Sequence, residues 1–223
     1  MARVLAVDTT AEFGSLALAH HGQVVAEVLL HAPDGFGHVL FDHLSKLLER
    51  AGWKLDDIDC FAGAAGPGSF TGVRVGLAAI KGLAEAGGRP VVAISNLEAV
   101  AFHGTAPLRA AVLDARRGEV YGAVYDAGLR LVIPEMVTRL PIWLDSLPGG
   151  ELEFVSTDFE PFRAALLGTR FETTPVRQAP RALAAALARI ASDRFDAGQA
   201  QDPAMIDANY VRRSDAELHW KEA

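Results

Sequence analysis

One pattern occurs twice in this chain. Val4 to Val7 is a short apolar run ending in Asp8-Thr9-Thr10; Ser15 to Ala19 is apolar again, His21-Gly22 marks a tight turn, and Val24 to Leu30 follows. Further on, Leu108 to Leu113 ends in Asp114, Ala115-Arg116-Arg117-Gly118 makes a turn, Val120 to Tyr125 is apolar, Ala127-Gly128 turns, and Leu129 to Ile133 closes the set. Short apolar runs separated by Gly-containing turns predict strand meanders. Two copies of one acid-terminated meander imply an internally duplicated α/β protein. Asp8 and Asp114 then hold equivalent places, and the boundary lies at Gly104 to Pro107, dividing the chain into 1–104 and 105–223.

Between the meanders the period changes. Leu40, Phe41, Leu44, Leu47, Leu48 and Ala51 recur at helical spacing, with Gly52 where a C-terminal cap belongs. Ile58 to Ala65 reads as a buried strand. Gly66-Pro67-Gly68-Ser69-Phe70-Thr71-Gly72 opens a second helix, which runs to Ala86 and stops at Gly87-Gly88-Arg89-Pro90. Val91 to Ile94 is a strand, and Ser95 caps a short helix ending at Gly104. The second copy is less regular: its helical signals are Pro161 to Leu167 and the Ala-rich Arg181 to Ile190, followed by a tail after Gln199 that reads as an extended arm able to pack back on the first half.

The acidic residues, 28 against 21 basic, leave a net charge of −7. A stand-alone nucleic-acid binder needs a basic footprint, so that class is disfavoured, although membership of a complex whose other subunit is basic is not. Cys60 is the single cysteine, so no internal disulfide forms, which fits a reduced, cytoplasmic compartment. No apolar run is long enough for a transmembrane helix, and the N-terminus meets Asp8 too early for a signal peptide.

The candidate chemistry is sparse. Asp8-Thr9-Thr10 at a strand end has the residue types of a phosphate loop, with an acid for Mg²⁺–water and hydroxyls for phosphate; the same residues also serve as a plain strand-end turn. Asp114 would be the second acid and Arg116 a phosphate cation. Gly66 to Gly72 precedes a helix and could hold an anion. It is not a Walker loop, since no Lys follows Gly68, and it fits neither a dinucleotide fingerprint nor a nucleophile elbow. A tight turn permitting close backbone packing is the other reading. The histidines form no metal pattern: His20 and His21 are adjacent, His38 and His43 are five apart, and His103 and His219 stand alone.

The helix from Phe70 carries only Arg74, Lys81 and Glu85 as charges, on one narrow stripe. A surface helix has a broad polar face, so this one is expected to be covered on two sides. Either it is a central helix of its own domain, or its second side meets a partner, with Gly72 and Gly76 allowing close approach. Leu40, Phe41, Leu44 and Leu48 of the preceding helix, with Gly72, Val73, Gly76 and Ile80, are the residues expected at such an interface.

Three segments in order, Leu5-Ala6-Val7-Asp8-Thr9-Thr10, Gly66 to Arg74 and Leu113 to Tyr121, carry a resemblance to the bacterial TsaB family of tRNA threonylcarbamoyladenosine biosynthesis proteins (YeaZ-like, related to TsaD). It is strong over the first 126 residues and loose afterwards. The resemblance implies the duplicated actin-like ATPase (ASKHA) fold with two mixed-sheet domains. It implies a non-catalytic partner of TsaD in a complex with the ATPase TsaE, one that forms a homodimer when alone, meets tRNA only indirectly and touches no membrane. It implies no cofactor of the chain's own, ATP or ADP entering only within the complex. Where TsaD relatives carry a His-x-x-x-His metal pair, this chain has Asn96 and Val100, which argues against a metallopeptidase. An independent nucleotide-binding phosphotransferase of the actin-like superfamily is the competing reading.

Overall fold

The opening meander folds as its alternation dictates. β1 (Arg3–Asp8) pairs antiparallel with β2 (Phe13–His20), which pairs antiparallel with β3 (Gln23–His31). Along β1 and β2 the two faces differ in size. Leu5, Val7, Leu16 and Leu18 lie on one face and belong to the main apolar cluster, while Ala6, Ala17 and Ala19 lie on the other. Large residues meet α1 (Leu40–Ala51), whose Leu40, Leu44, Leu47 and Leu48 enter the same cluster. Gly52 ends α1 in the left-handed region (φ 67°), its N–H donating to the carbonyls of Leu48 and Glu49.

β4 (Cys60–Ala64) adds parallel to β1, α2 (Phe70–Gly87) follows, and β5 (Val91–Ile94) adds parallel to β4. The sheet order is β3-β2-β1-β4-β5, and α3 (Asn96–Ala101) leads out of it. This computed structural model describes residues 2–211.

The second copy repeats the order. β6 (Leu108–Arg116), β7 (Glu119–Asp126) and β8 (Leu131–Arg139) form the meander; α4 (Leu140–Ser146) leads to β9 (Leu152–Ser156), and α5 (Glu160–Arg163) leads to β10 (Val176–Gln178). Its sheet reads β8-β7-β6-β9-β10, strand for strand the first, with the same parallel and antiparallel pairs. Its core is aromatic, built on Trp143, Phe154, Phe159, Phe162 and Phe171. A Cβ at Gly122 would stand 2.3 Å from the Trp143 ring, so only glycine seats that indole.

Two expectations need correction. Asp8 ends β1 and Asp114 lies two residues before the end of β6, the matching central strand, but they do not stand at matching places. Counted along the parallel pairing, Val4 opposite Cys60 corresponds to Leu108 opposite Leu152, so the counterpart of Asp8 is Val112. The cut at residue 104 also fails. The first unit takes the residues up to Ala99 together with Pro180–Ala208, and the second takes Val100–Ala179 and the stretch from Asn209. The Ala-rich helix, α6 (Ala184–Asp196), packs on β1, β2 and β4 of the first sheet, because the Ala face of that sheet admits an Ala-rich helix at short range. Gln201 then bridges to the edge of β5 through both backbone bonds with Val91, and Ile206 enters the main cluster. The rest of the tail, with His219, lies outside the described residues.

The N-terminus of α6 has no side-chain cap of its own. Ser15 Oγ, on the Ala face of β2, accepts from the N–H groups of Leu183 and Ala184, and Glu27 Oε1 on β3 accepts from that of Ala185. Burial pushes the Glu27 carboxyl up from its ordinary range, and the Ala185 amide offsets part of that. Ser15→Ala strands two buried donors and is expected to cost about 1–2 kcal/mol, the upper range for a lost cap. Thermal melts check the loss, and amide exchange should show it concentrated in the first turn of α6.

Candidate functional site

The side chains of the loop after β1, the first candidate, are buried and hydrogen-bonded inside the first unit. Asp8, Thr9 and Thr10 are all buried. Asp8 Oδ1 accepts from the Thr10 backbone N–H at 2.9 Å and from the Thr10 hydroxyl at 2.6 Å. Asn96 Nδ2 donates to Thr10 Oγ1 at 2.6 Å, and Asn96 Oδ1 accepts from Gly66 N at 3.0 Å. Asn96 N donates back to the Gly66 carbonyl, and Ser69 N donates to the Thr10 carbonyl. The Thr9 hydroxyl donates to the Gly72 carbonyl at 2.7 Å. The strand-end loop, the glycine loop and the start of α3 are thus tied into one network.

The glycines explain how the pieces come so close. An added Cβ at Gly68 would lie 2.5 Å from the Thr10 carbonyl oxygen, at Gly72 2.0 Å from that of Thr9, and at Gly76 2.5 Å from Thr9 Oγ1. The approach that Gly72 and Gly76 permit is to the Asp8 loop, not to another helix. Ser69 caps α2, its Oγ accepting from Gly72 N at 3.2 Å. Burial pushes the Asp8 carboxyl up from its ordinary range, against the hydrogen bonds from Thr10 and Asn96 that pull it down.

In the second unit Asp114 and Arg116 form a separate, exposed arrangement. Asp114 Oδ1 accepts from Arg116 N at 2.7 Å, and Arg116 lies 3.4 Å from Asp114 Oδ2 with most of its side chain in solvent. Arg116 and Arg117 both adopt the left-handed region (φ 66° and 57°), where a side chain is disfavoured. Among the described residues no three His, Cys, Asp or Glu side chains gather as a metal would require.

Of the eight residues expected at a partner surface, seven are buried in their own unit. Leu40, Leu44, Leu48, Val73 and Ile80 are in the main apolar cluster, and Gly72 and Gly76 lie on the side of α2 that meets the Asp8 loop. That is the correction: α2 is mostly a central helix of its own domain. Phe41 is the exception, 53% exposed. The side of α2 that remains open is Thr71, Arg74, Ala78, Gly82 and Glu85, at three- and four-residue spacing, with Phe70 exposed at its start beneath the Arg74 guanidinium, 3.8 Å from the ring centroid. α1 and α2 enter the same cluster, so both lie on one side of the sheet. Sequence reasoning placed Arg74 on the charged stripe of α2 and did not single out Phe70 as a surface residue. Of that stripe Arg74 and Glu85 face solvent, while Lys81 donates to the Ile206 carbonyl.

Residues 36–173 match the family model of TsaD, tRNA N6-adenosine threonylcarbamoyltransferase. The chain is similar to the tRNA threonylcarbamoyladenosine biosynthesis protein TsaB of Bacillus subtilis, 29% identical over 99% of this chain and 98% of that protein. It is 38% identical to the protein of the same description from Escherichia coli, over 55% of this chain and 54% of that one. Among solved structures it is similar to YeaZ from Pseudomonas aeruginosa, with a TM-score of 0.78 and 27% identity over 94% of this chain and 100% of that one.

Proposed function

Because this chain belongs to the TsaD, tRNA N6-adenosine threonylcarbamoyltransferase, family and is TsaB/YeaZ-like within it, we propose that it is the non-catalytic partner subunit of the complex that places threonylcarbamoyl on tRNA. Its fold is the duplicated actin-like one, and its role lies in tRNA threonylcarbamoyladenosine biosynthesis. A TsaD-type subunit carries the transfer, and a TsaE-type ATPase joins the complex in the cytoplasm. This chain takes up no nucleotide at its own Asp8 loop, and an ATP or ADP enters only with the assembled partners.

The observation that carries this reading is the closure of α2 on the Asp8 loop. A phosphate loop must offer free amides and hydroxyls. Here the Thr9 and Thr10 hydroxyls and the Asp8 carboxylate bond within the unit, and Gly68, Gly72 and Gly76 bring backbone into the space a phosphate would fill. The independent phosphotransferase reading needs that space.

The open sides of α1 and α2, marked by Phe41, Phe70 and Arg74, are the surface for the TsaD-type subunit, and for a second copy when that subunit is absent. Exposed aromatics beside an arginine are the residues that dominate binding energy at interfaces. Phe41→Asp is expected to leave the melting temperature within a few degrees of wild type, since the side chain is mostly in solvent, and to weaken capture of the TsaD-type subunit by roughly tenfold or more. Reconstituted threonylcarbamoylation of tRNA should fall in parallel and return at high subunit concentration. ATP turnover by this chain alone, or full affinity in Phe41→Asp, would refute the reading.

A further inference from the structure

The β5 edge of the first sheet is closed for one rung and then opens. Phe61 N–H donates to the Pro90 carbonyl and Ala65 N–H to the Ile94 carbonyl, so Val92 and Ile94 direct their backbone groups at β4. Backbone groups alternate along a strand, and Val91 and Ala93 therefore turn their N–H and C=O outward. Val91 exchanges both bonds with Gln201 of the returning chain, antiparallel. In that register Ala93 would stand opposite Gln199. The second rung is not made, because Gln199 N–H donates to the Arg194 carbonyl in the turn that ends α6, with Gly198 in the left-handed region (φ 70°). The splayed rung leaves a depression of about 330 Å³ lined by Val92, Ala93, Arg194, Gln199 and Gln201.

Among the described residues Arg194 is the one charged member of that lining. Its Nη2 donates to Glu98 Oε1 at 2.6 Å, and its side chain is 31% exposed against 9% for that of Glu98. The carboxylate is the buried partner and holds the guanidinium in place. A guanidinium has five N–H donors, so one bond to Glu98 leaves others for an anion arriving from solvent. The last carbonyls of α6 do not oppose it: those of Asp193, Arg194 and Phe195 accept from the N–H groups of Ala197, Gln199 and Gly198.

We propose that this depression binds an acylated amino acid through its α-carboxylate, the chemistry shared by a protein C-terminus and a small N-acyl amino acid. The carboxylate accepts from the Ala93 N–H and from the Arg194 guanidinium. The adjoining amide N–H donates to the Ala93 C=O, which restores the rung that the chain leaves open. The Gln199 and Gln201 carboxamides supply donors for the acyl carbonyl. A free amino acid fits less well, since its ammonium calls for an acid and none lines the depression among the described residues. The volume is at the low end for ligand sites and holds little beyond one residue, so half-saturation should fall at about millimolar concentration. The site uses neither the Asp8 loop nor the open sides of α1 and α2, and it stands apart from the function proposed above.

The test is an amide NMR titration of the full chain with three probes: N-acetylalanine, its C-terminal amide, and a five-residue glycine-alanine peptide ending in a carboxylate. N-acetylalanine should move the Ala93 N–H and the Gln199 and Gln201 side-chain amides along one saturating curve. The amide should bind roughly tenfold more weakly or worse, having no charge for Arg194. Tighter binding of the peptide than of N-acetylalanine assigns a protein C-terminus as the natural source; equal or weaker binding assigns a small N-acyl amino acid, and either supports the site. Gln199→Glu puts a carboxylate at the depression while leaving Arg194 and Glu98 in place, and should weaken N-acetylalanine by roughly tenfold. Ala93→Pro deletes the outward N–H at an edge position, where proline is tolerated, and should abolish the saturating shift; thermal melts check that both variants fold. No saturable shift far above millimolar concentration, equal binding of the acid and its amide, or an affinity indifferent to Gln199→Glu would each overturn the proposal.

Discussion

Gly72→Ala is expected to be among the most damaging single substitutions in this chain, and Gly82→Ala, on the same helix, to be stabilising. In an exposed helix interior alanine gains about 0.5–1 kcal/mol over glycine, because glycine has more backbone freedom to lose. Gly82 meets that condition, with nothing within 4 Å of its added Cβ. At Gly72 the methyl group would stand 2.0 Å from the Thr9 carbonyl oxygen. That oxygen is backbone, and the Thr9 hydroxyl is bonded to the Gly72 carbonyl, so neither side gives way without breaking the contact. Overpacking costs roughly 1–3 kcal/mol where side chains adjust, and a backbone clash should reach or exceed the top of that range. With about 2–4 °C per kcal/mol for a chain this size, the two variants should separate by some 10 °C in thermal melts. Gly76→Leu should side with Gly72→Ala in stability and leave self-association unaffected, since its neighbours are Thr9 and Val7. Equal melting of Gly72→Ala and Gly82→Ala would mean that α2 does not sit on the loop as described.

Asp8 should separate structural from catalytic use of an acid more sharply still. Asp8→Ala removes the acceptor of two buried donors, the Thr10 N–H and hydroxyl, each worth about 1–3 kcal/mol when stranded. Asp8→Asn keeps the acceptor and removes the charge. Burial raises the folded-state pKa of Asp8 above its unfolded value of 3.8. A group so shifted contributes its stability fully below the unfolded pKa and loses it as pH rises through the folded one. Above the unfolded value the buried acid therefore weighs on the fold, and Asp8→Asn should melt above wild type at neutral pH. The advantage should shrink as pH is lowered toward 3.8 and vanish below it. In reconstituted tRNA threonylcarbamoylation Asp8→Asn should remain active, whereas an acid holding a metal–phosphate would not survive the change. Loss of activity with an intact melt would assign Asp8 a chemical role.

The duplication was legible because strand alternation and turn residues are local signals. The two meanders fell where the pattern put them, and so did the caps at Gly52 and Ser95. What was not legible was which surface each element meets. α6 is Ala-rich, and nothing in Arg181 to Ile190 names its sheet. The clue lay far away, in the Ala positions 6, 17 and 19 of β1 and β2. Gly72 and Gly76 announced a close approach without naming what approaches, and a loop fits as well as a helix. Ser15, a lone hydroxyl in an apolar strand, was the visible sign that something would need an acceptor there.

The return of α6 to the first sheet has a consequence for synthesis on the ribosome. Residues up to Ala99 emerge with the Ala face of their sheet, the β5 edge and the place of Ile206 all uncovered, and the segment that covers them ends at Ala208. At about 5–20 residues per second, the first unit waits roughly 5–20 s for its last layer, while the main stretch of the second unit, Val100 to Ala179, emerges first. The unit that begins first therefore gains its last layer only after the bulk of the second has emerged. During that interval the nascent chain presents an open apolar sheet, a form for chaperones to hold and the one in which a shortened product would be trapped.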